Sequence, residues 1–192
     1  PVEYGGAPHA VLDHCLVLEE MCTGCSGIST AIDANGLSQY PVILAGTDDQ
    51  KRRFLPKIQS VEETWCQGFS EPDAGSDLAN VQTRGVLDGD QWVVNGQKVW
   101  TSGGHYADLG MLIARTNSDV PKHQGITYFA LDMHQPGVDV RPLREMTGRA
   151  LFNEVFLTDA VVSDDSMIGG KNNGWAVANA TLMFERASLG SG

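Results

Sequence analysis

The chain has 192 residues, of which 13 are Lys or Arg and 24 are Asp or Glu, so its formal net charge is −11. This acidity argues against nucleic-acid binding, which needs a basic face to meet phosphates, and disfavours an anionic membrane surface. No apolar run approaches the roughly 20 residues that a membrane-spanning helix needs, and no signal peptide opens the chain. The apolar fraction of 42% is sufficient for a packed core.

Both ends of the sequence indicate a piece of a longer protein. The first residue is Pro1 rather than Met, and residues 183–189 still follow an apolar pattern where the chain stops. We therefore expect a fragment.

The cysteines indicate a reducing compartment, most simply the cytoplasm, because a chain of this length without a signal peptide is not a secreted disulfide framework. They are Cys15, Cys22, Cys25 and Cys66. Cys22 and Cys25 form one C-x-x-C pair, which a zinc site would have to complete with residues such as His9 and His14. A thioredoxin-like redox pair is a second interpretation. The sequence favours a third, small buried residues on one helix face.

Over residues 8–58, apolar residues recur at three- and four-residue steps, which predicts helices. The recurring positions include Ala10, Val11, His14, Leu18, Met21 and Cys22. A later helix begins at a capping box, with Thr47 as the N-cap and Gln50 three residues further on. Pro56 predicts that this helix ends at Leu55, because the residue before a proline disfavours the helical conformation.

Between residues 64 and 168 the pattern changes to short β-rich runs separated by turns. An Asn95-Gly96 pair between residues 91–94 and 98–101 predicts a two-residue hairpin. Further strands are predicted at 109–115, 126–131, 138–143 and 152–157. Several short strands of this kind indicate an antiparallel barrel or sandwich.

After Gly169-Gly170 the pattern becomes helical again, with Asn172 or Asn173 as the predicted N-cap. The predicted apolar stripe of this helix is Ala176, Ala180, Met183 and Ala187. The fold class is therefore α+β with several domains. We predict a partial helical domain over 1–63, a β-domain over 64–168, and the first helix of another helical domain over 169–192.

The segment 67–77 contains the residues with the clearest chemistry. Gly75 lacks a Cβ and lets a backbone approach a bulky anion, while Ser70 and Ser76 supply hydroxyl groups beside it. Such a turn holds a pyrophosphate with neutral donors. Composition alone favours an ordinary polar turn.

Two motifs carry a family resemblance. The segment 70–77, Ser-Glu-Pro-Asp-Ala-Gly-Ser-Asp, resembles the T-E-P-x-A-G-S-D signature of acyl-CoA dehydrogenases. The segment 95–102, Asn-Gly-Gln-Lys-Val-Trp-Thr-Ser, is similar to the family's N-G-x-K-x-W-I-[ST] strand. Weaker matches at 3–6, 46–51 and 169–175 lie in family order, so the resemblance covers essentially the whole chain.

The resemblance implies an N-terminal helical domain, a middle β-domain and a C-terminal four-helix domain. This chain would hold the latter part of the first, all of the second and the opening helix of the third. We expect the isolated 192-residue chain to be inactive and to bind its cofactor weakly.

The resemblance also implies the chemistry. Family members bind FAD non-covalently and oxidise an acyl-CoA thioester, with a carboxylate removing the α-proton and the β-hydrogen leaving as hydride to flavin N5. The electrons then pass to an electron-transfer flavoprotein. The residues implied to bind FAD are Gln67, Gly68, Phe69, Ser70, Gly75, Ser76, Trp100, Thr101 and Ser102. The family often has Thr where this chain has Ser102, and Tyr or Leu where it has Gln67.

The implied substrate-binding residues are Ser76, Glu185 and Arg186. In some family members the catalytic base lies immediately before a substrate-contacting Arg, which is the position of Glu185. In many others it lies in a segment that this chain does not contain, and a surface Glu-Arg pair is the alternative interpretation. No metal is implied.

Two further functions remain open in the sequence. One is an oxidase of the same fold, in which oxygen reoxidises the flavin. The other is a non-catalytic subunit that keeps the fold without the chemistry. The resemblance implies a homo-dimer or homo-tetramer in fatty-acid β-oxidation.

Overall fold

The structure, a computed structural model, describes residues 1–8 and 11–189; His9, Ala10 and residues 190–192 of the predicted third part lie outside it. The described residues form helices, then strands, then a final helix, as predicted. The α-helices are α1 (Val11–Gly36), α2 (Gln39–Ala45), α3 (Asp48–Gln59) and α4 (Gly174–Leu189). The strands are β1 (Trp65–Gly68), β2 (Arg84–Asp88), β3 (Gln91–Lys98), β4 (Leu109–Arg115), β5 (Ile126–Asp132), β6 (Val138–Pro142), β7 (Asn153–Ser163) and β8 (Met167–Ile168).

The strands form one mixed sheet in the order β6-β7-β3-β2-β4-β5-β8, with β1 paired to β4. Most neighbours are antiparallel, as predicted, but β1 and β2 both run parallel to β4. The predicted β-domain is therefore present, but its sheet is mixed rather than antiparallel at β1 and β2. β1 follows directly from α3 and has no hairpin connection to β4, so its direction is not set by a tight turn.

The predicted hairpin at Asn95-Gly96 is also wrong, because β3 continues through both residues. The pairing of β3 with β7 shifts register between Val94 and Gly96, which makes this a β-bulge. A Cβ on Gly96 would lie 2.6 Å from the Thr83 Cα, so this close approach requires glycine. The Asn95 side chain exchanges hydrogen bonds with Asp159 on β7.

The capping box of α3 is confirmed. The Gln50 N–H donates to Thr47 Oγ1, and the Thr47 N–H donates to Gln50 Oε1. The helix does not end at Leu55, however, but continues through Pro56 to Gln59. Leu55 and Ile58 are both buried on this last stretch, and their packing outweighs the loss of one helical hydrogen bond at the proline.

The hydrophobic core lies on both faces of the sheet. On β4, Met111 and Ile113 pack toward the helices, whereas Leu112 and Ala114 pack on the opposite face. Tyr128 and Phe129 alternate in the same way on β5. These two central strands are therefore apolar along nearly their whole length.

The cysteines of α1 do not form a buried face. Cys15, Cys22 and Cys25 are free and exposed, which corrects the favoured interpretation of the C-x-x-C pair. Cys66 alone is buried, and burial raises the pKa of its thiol to about 12. Within residues 1–8 and 11–189, no group of three or more His, Cys, Asp or Glu side chains is placed to hold a metal ion.

The buried face of α4 also differs from the prediction. Val177, Ala178 and Thr181 are buried, whereas Ala176 and Met183 of the predicted stripe are exposed; the Ala187 side chain lies outside the described residues. In the part of the chain that is described, no helix has the length and hydrophobicity to cross a membrane.

Gly174 sets which face of α4 is buried, because a Cβ there would lie 2.7 Å from the Thr127 Cα in β5. We expect Gly174→Ala to lower the free energy of unfolding of the full-length protein by about 1–3 kcal/mol, measured by urea unfolding. The control is Gly24→Ala in α1, where a Cβ meets nothing within 4 Å. That change adds a methyl group in open space beside the non-helical Cys25 and is expected to alter the free energy of unfolding by less than about 0.5 kcal/mol. Equal effects of the two changes would contradict the close packing at Gly174.

Candidate functional site

A short turn follows β1 and exposes the predicted anion-binding residues. Glu71 and Ala74 exchange backbone hydrogen bonds of 3.0 and 3.1 Å across this turn. Gly75 and Ser76 follow it, and both are exposed. A Cβ on Gly75 would meet nothing within 4 Å, so the space beside its backbone is open to a ligand.

A buried ion pair fixes the residues just before this turn. Lys98 is 1% exposed, and its Nζ donates to Glu71 Oε1 at 2.8 Å and to the Phe69 carbonyl at 3.0 Å. Glu71 also accepts the backbone N–H groups of Gln82 and Thr83 at 2.6 and 2.9 Å. The ion pair therefore connects β3, the end of β1 and the segment leading to β2.

Burial and ion pairing shift the pKa of each partner, Glu71 and Lys98, in opposite directions. Burial alone would raise the pKa of Glu71, but the Lys98 ammonium and the hydrogen bonds outweigh it and hold this pKa below its ordinary value. Burial lowers the pKa of Lys98 to about 8, against the attraction of Glu71. The sequence motifs contain both residues, but sequence reasoning assigned neither a role.

The two motifs meet through a backbone hydrogen bond, in which the Val99 N–H donates to the Ser70 carbonyl at 2.9 Å. β3 ends at Lys98 rather than at Thr101 as predicted, because Trp100 adopts a left-handed φ of 62°. The Trp100 side chain is 61% exposed, and its ring lies edge-on to Phe152 with centroids 5.8 Å apart. A large aromatic side chain is thus presented to solvent beside Ser70.

The next two residues, Thr101 and Ser102, differ in exposure. Thr101 is fully buried, and its Oγ1 has no hydrogen-bond partner among the described residues. Ser102 is exposed. The buried Asn153 holds this segment, since its Nδ2 donates to the Thr101 carbonyl at 2.9 Å and the two backbones exchange hydrogen bonds. Asn153 belongs to no motif, so the sequence offered no signal for it.

Two of the predicted cofactor residues contribute to the core. The Phe69 ring is 3% exposed and lies edge-on to Tyr128 at 5.8 Å, and Gly68 is buried beside Met111 and Leu112. For Phe69, only the backbone is available to a ligand.

Glu185 is brought to the end of β1 by the packing of α4. The ring of Phe184, the preceding residue, stacks on Tyr40 of α2 with centroids 3.7 Å apart. The Gln67 Nε2 then donates to Glu185 Oε2 at 3.4 Å. Arg186 is exposed. The structure therefore brings together residues that are far apart in sequence but were both predicted to belong to the site.

These surfaces suit a flat cofactor with a pyrophosphate, as FAD is. Trp100 supplies an exposed aromatic face, Ser70 lies next to it, and the open backbone at Gly75 and Ser76 supplies neutral donors. The residues that would hold the group form a wall made of two segments, 70–76 and 99–102. The Val99–Ser70 hydrogen bond joins these segments.

Known proteins match the chain along most of its length. Residues 1–62 match the family model described as acyl-CoA dehydrogenase, N-terminal domain, and residues 66–160 match the middle domain. The acyl-CoA dehydrogenase IpdE1 of Mycobacterium tuberculosis is 53% identical over 147 residues, which cover 76% of this chain and 38% of that protein. The IpdE1 of Mycolicibacterium smegmatis is 42% identical, over 97% of this chain and 50% of its own length.

Solved structures show the same architecture. The prolyl acyl carrier protein oxidase AnaB matches with a TM-score of 0.92 at 28% identity, over 98% of this chain and 51% of its own. A glutaryl-coenzyme A dehydrogenase in complex with glutaryl-CoA matches with a TM-score of 0.89 at 27% identity, over 98% of this chain and 49% of its own. A Tcur3481-Tcur3483 steroid ACAD matches with a TM-score of 0.86 at 29% identity, over 98% of this chain and 48% of its own. The chain thus spans half or less of the curated relatives described above, and it belongs to the acyl-CoA dehydrogenase family.

Proposed function

We propose that the protein containing this chain is an FAD-dependent dehydrogenase that oxidises an acyl-CoA thioester to the 2,3-enoyl-CoA. The observation that supports this most is the contact between Gln67 and Glu185. It places a carboxylate beside the wall formed by the two family motifs. A base in this position is close to a substrate that lies between α4 and the end of β1.

The residues have distinct roles in this proposal. When bound, FAD supplies an acceptor for two electrons. Glu185 removes the α-proton, and Gln67 orients its carboxylate by donating to Oε2. Arg186 and Ser76 contact the substrate. The backbones of Gln67, Gly68 and Phe69, together with Ser70, Trp100, Thr101 and Ser102, would hold the flavin ring. Gly75 and Ser76 would hold its pyrophosphate.

An oxidase is the second candidate, because AnaB is named an oxidase and its fold matches with a TM-score of 0.92. The two functions differ in how the reduced flavin is reoxidised. A dehydrogenase passes its electrons to an electron-transfer flavoprotein and reacts slowly with oxygen. Rapid peroxide formation in air would favour the oxidase.

The assembly, domain division and location of the protein are also proposals. Leu12, Leu16 and Val17 of α1 are each more than half exposed, which supports a homo-dimer or homo-tetramer. The element order supports domains at 1–63, 64–168 and 169–192. The four free cysteines support a reducing, cytoplasmic location.

The experiment is flavin bleaching with the full-length protein. We expect the purified protein to carry FAD, and a panel of straight-chain, branched and ring-bearing acyl-CoA thioesters to include one that bleaches it anaerobically. An electron-transfer flavoprotein should then reoxidise it. A colourless protein that binds no added FAD would instead indicate a non-catalytic subunit.

A further inference from the structure

The stacked rings of Tyr40 and Phe184 close the space between α2 and α4 beside the proposed base. Their centroids are 3.7 Å apart, and their planes differ by 5°. Carbon atoms in van der Waals contact lie about 3.5–4.0 Å apart, so no atom of a ligand fits between the two rings. A ligand bound beside Glu185 therefore cannot pass between these helices at the level of the stack.

This stack lies one residue from the carboxylate. Phe184 and Glu185 are consecutive on α4, and the Cα atoms of neighbouring residues are about 3.8 Å apart. The Glu185 side chain reaches β1, where its Oε2 accepts from Gln67, whereas the Phe184 ring reaches α2. An α-carbon within reach of Glu185 thus brings the first carbons of an acyl group to the edge of the stack.

The α2 side of the stack is held firmly in place. Ser38 is fully buried and donates from Oγ to the Asn35 carbonyl at 2.8 Å. The Asn35 Nδ2 donates to the Ile58 carbonyl of α3 at 3.0 Å. Val42, two residues after Tyr40, is fully buried in the core. Tyr40 therefore has little freedom to move aside for a wider ligand.

Both rings are partly buried, so an edge of each remains available to a ligand. Burial, and then the nearby Asp33 carboxylate, raises the pKa of Tyr40 above its ordinary value. The ring is thus partly withdrawn from water, as the wall of an apolar ligand site is.

We propose that the Tyr40–Phe184 stack sets the greatest width of acyl group that the site accepts next to the thioester. This inference rests on the proposed function, because it uses Glu185 as the base. An acyl group that is unbranched at its first carbons passes the stack. A ring attached at those carbons collides with it.

The test is calorimetric titration of the full-length, FAD-loaded protein with S-alkyl thioethers of coenzyme A, which lack the carbonyl group and bind without being oxidised. The narrow probe is S-butyl-coenzyme A, and the wide probe is S-(cyclohexylmethyl)-coenzyme A. The variants are Tyr40→Leu and Phe184→Leu, which open the stack from opposite helices. Tyr40→Phe keeps the ring. The matched control is Tyr106→Leu, which removes a ring that is 72% exposed and packs on His105 instead.

We expect the parent, Tyr40→Phe and Tyr106→Leu to bind the narrow probe at least tenfold more tightly than the wide one. In Tyr40→Leu and Phe184→Leu this ratio should fall at least tenfold, because the fit of a single methylene group is worth about 10–200-fold in discrimination. The visible spectrum of bound FAD shows that each variant is folded.

A parent that binds both probes equally, or binds neither, would overturn the proposal. So would a ratio that stays at the parent value in both leucine variants. Because the thioethers bind without turnover, failure of this selectivity is distinct from failure of the dehydrogenase proposal, which flavin bleaching tests.

Discussion

Glu185→Gln is expected to slow the reduction of the bound flavin by acyl-CoA by about 100-fold or more in the full-length protein, while FAD content stays unchanged. A general base contributes about 10²–10⁴ to the rate of proton transfer, and glutamine keeps the shape of the side chain without its basicity. Anaerobic stopped-flow bleaching of the flavin measures the rate directly.

The control for this change is Glu20→Gln, a substitution of the same chemistry at an exposed position of α1. It is expected to leave the reduction rate as it was. A second variant, Gln67→Met, removes the donor to Glu185 Oε2 but keeps the carboxylate, so we expect a smaller loss of the reduction rate. If Glu185→Gln reduced its flavin at the parent rate, the base would lie elsewhere.

Lys98→Met is expected to destabilise the full-length protein by about 3–5 kcal/mol and to weaken FAD binding. Removing one partner of a buried ion pair leaves the other charge buried and unpaired. Here the group left is Glu71, and the Phe69 carbonyl also loses its donor. Chemical denaturation measures the first effect, and fluorescence titration of the apoprotein with FAD the second.

The stability lost in Lys98→Met is expected to become smaller as the pH falls. Since the paired Glu71 has a lowered pKa in the folded protein, it adds stability above its unfolded pKa of about 4.3 and loses it as the pH falls further. Without Lys98, the burial of Glu71 is opposed only by the hydrogen bonds from Gln82 and Thr83, so the pKa of its carboxyl lies higher than in the parent and protonation relieves the buried charge as the pH falls. The gap in unfolding free energy between Lys98→Met and the parent should therefore narrow as the pH falls toward 4. A gap that widened would contradict the pairing.

Two controls separate charge from packing at this ion pair. Arg52→Met removes the cation of the exposed Arg52–Asp49 pair and is expected to cost about 0–1 kcal/mol. The double change Lys98→Met/Glu71→Leu removes both buried charges and should recover part of the stability lost in the single variant. A double variant no more stable than Lys98→Met would show that shape, rather than charge, dominates.

The sequence predicted features that depend on neighbouring residues. The capping box of α3 needs only residues three positions apart, and it formed as predicted. The central strands were predicted because their apolar runs are continuous. The family motifs likewise predicted where the exposed turn and Trp100 lie along the chain.

Features that depend on distant residues were missed. Asn95-Gly96 has the local chemistry of a hairpin turn, but β7 and Thr83 close against it and make it a bulge. The buried face of α4 is set by the contact of Gly174 with β5, which periodicity alone does not contain. The ion pair of Glu71 with Lys98 joins two motifs and becomes visible only when the sheet brings them together.

The stacking of Tyr40 on Phe184 has a consequence for the order of folding. It joins α2 to α4 across most of the chain, and such long-range contacts are expected to form late because closing a long loop costs entropy. The sheet contains a local hairpin between β2 and β3, whose pairing does not depend on that contact. We therefore expect the carboxylate of Glu185 to reach β1 only after the sheet has formed.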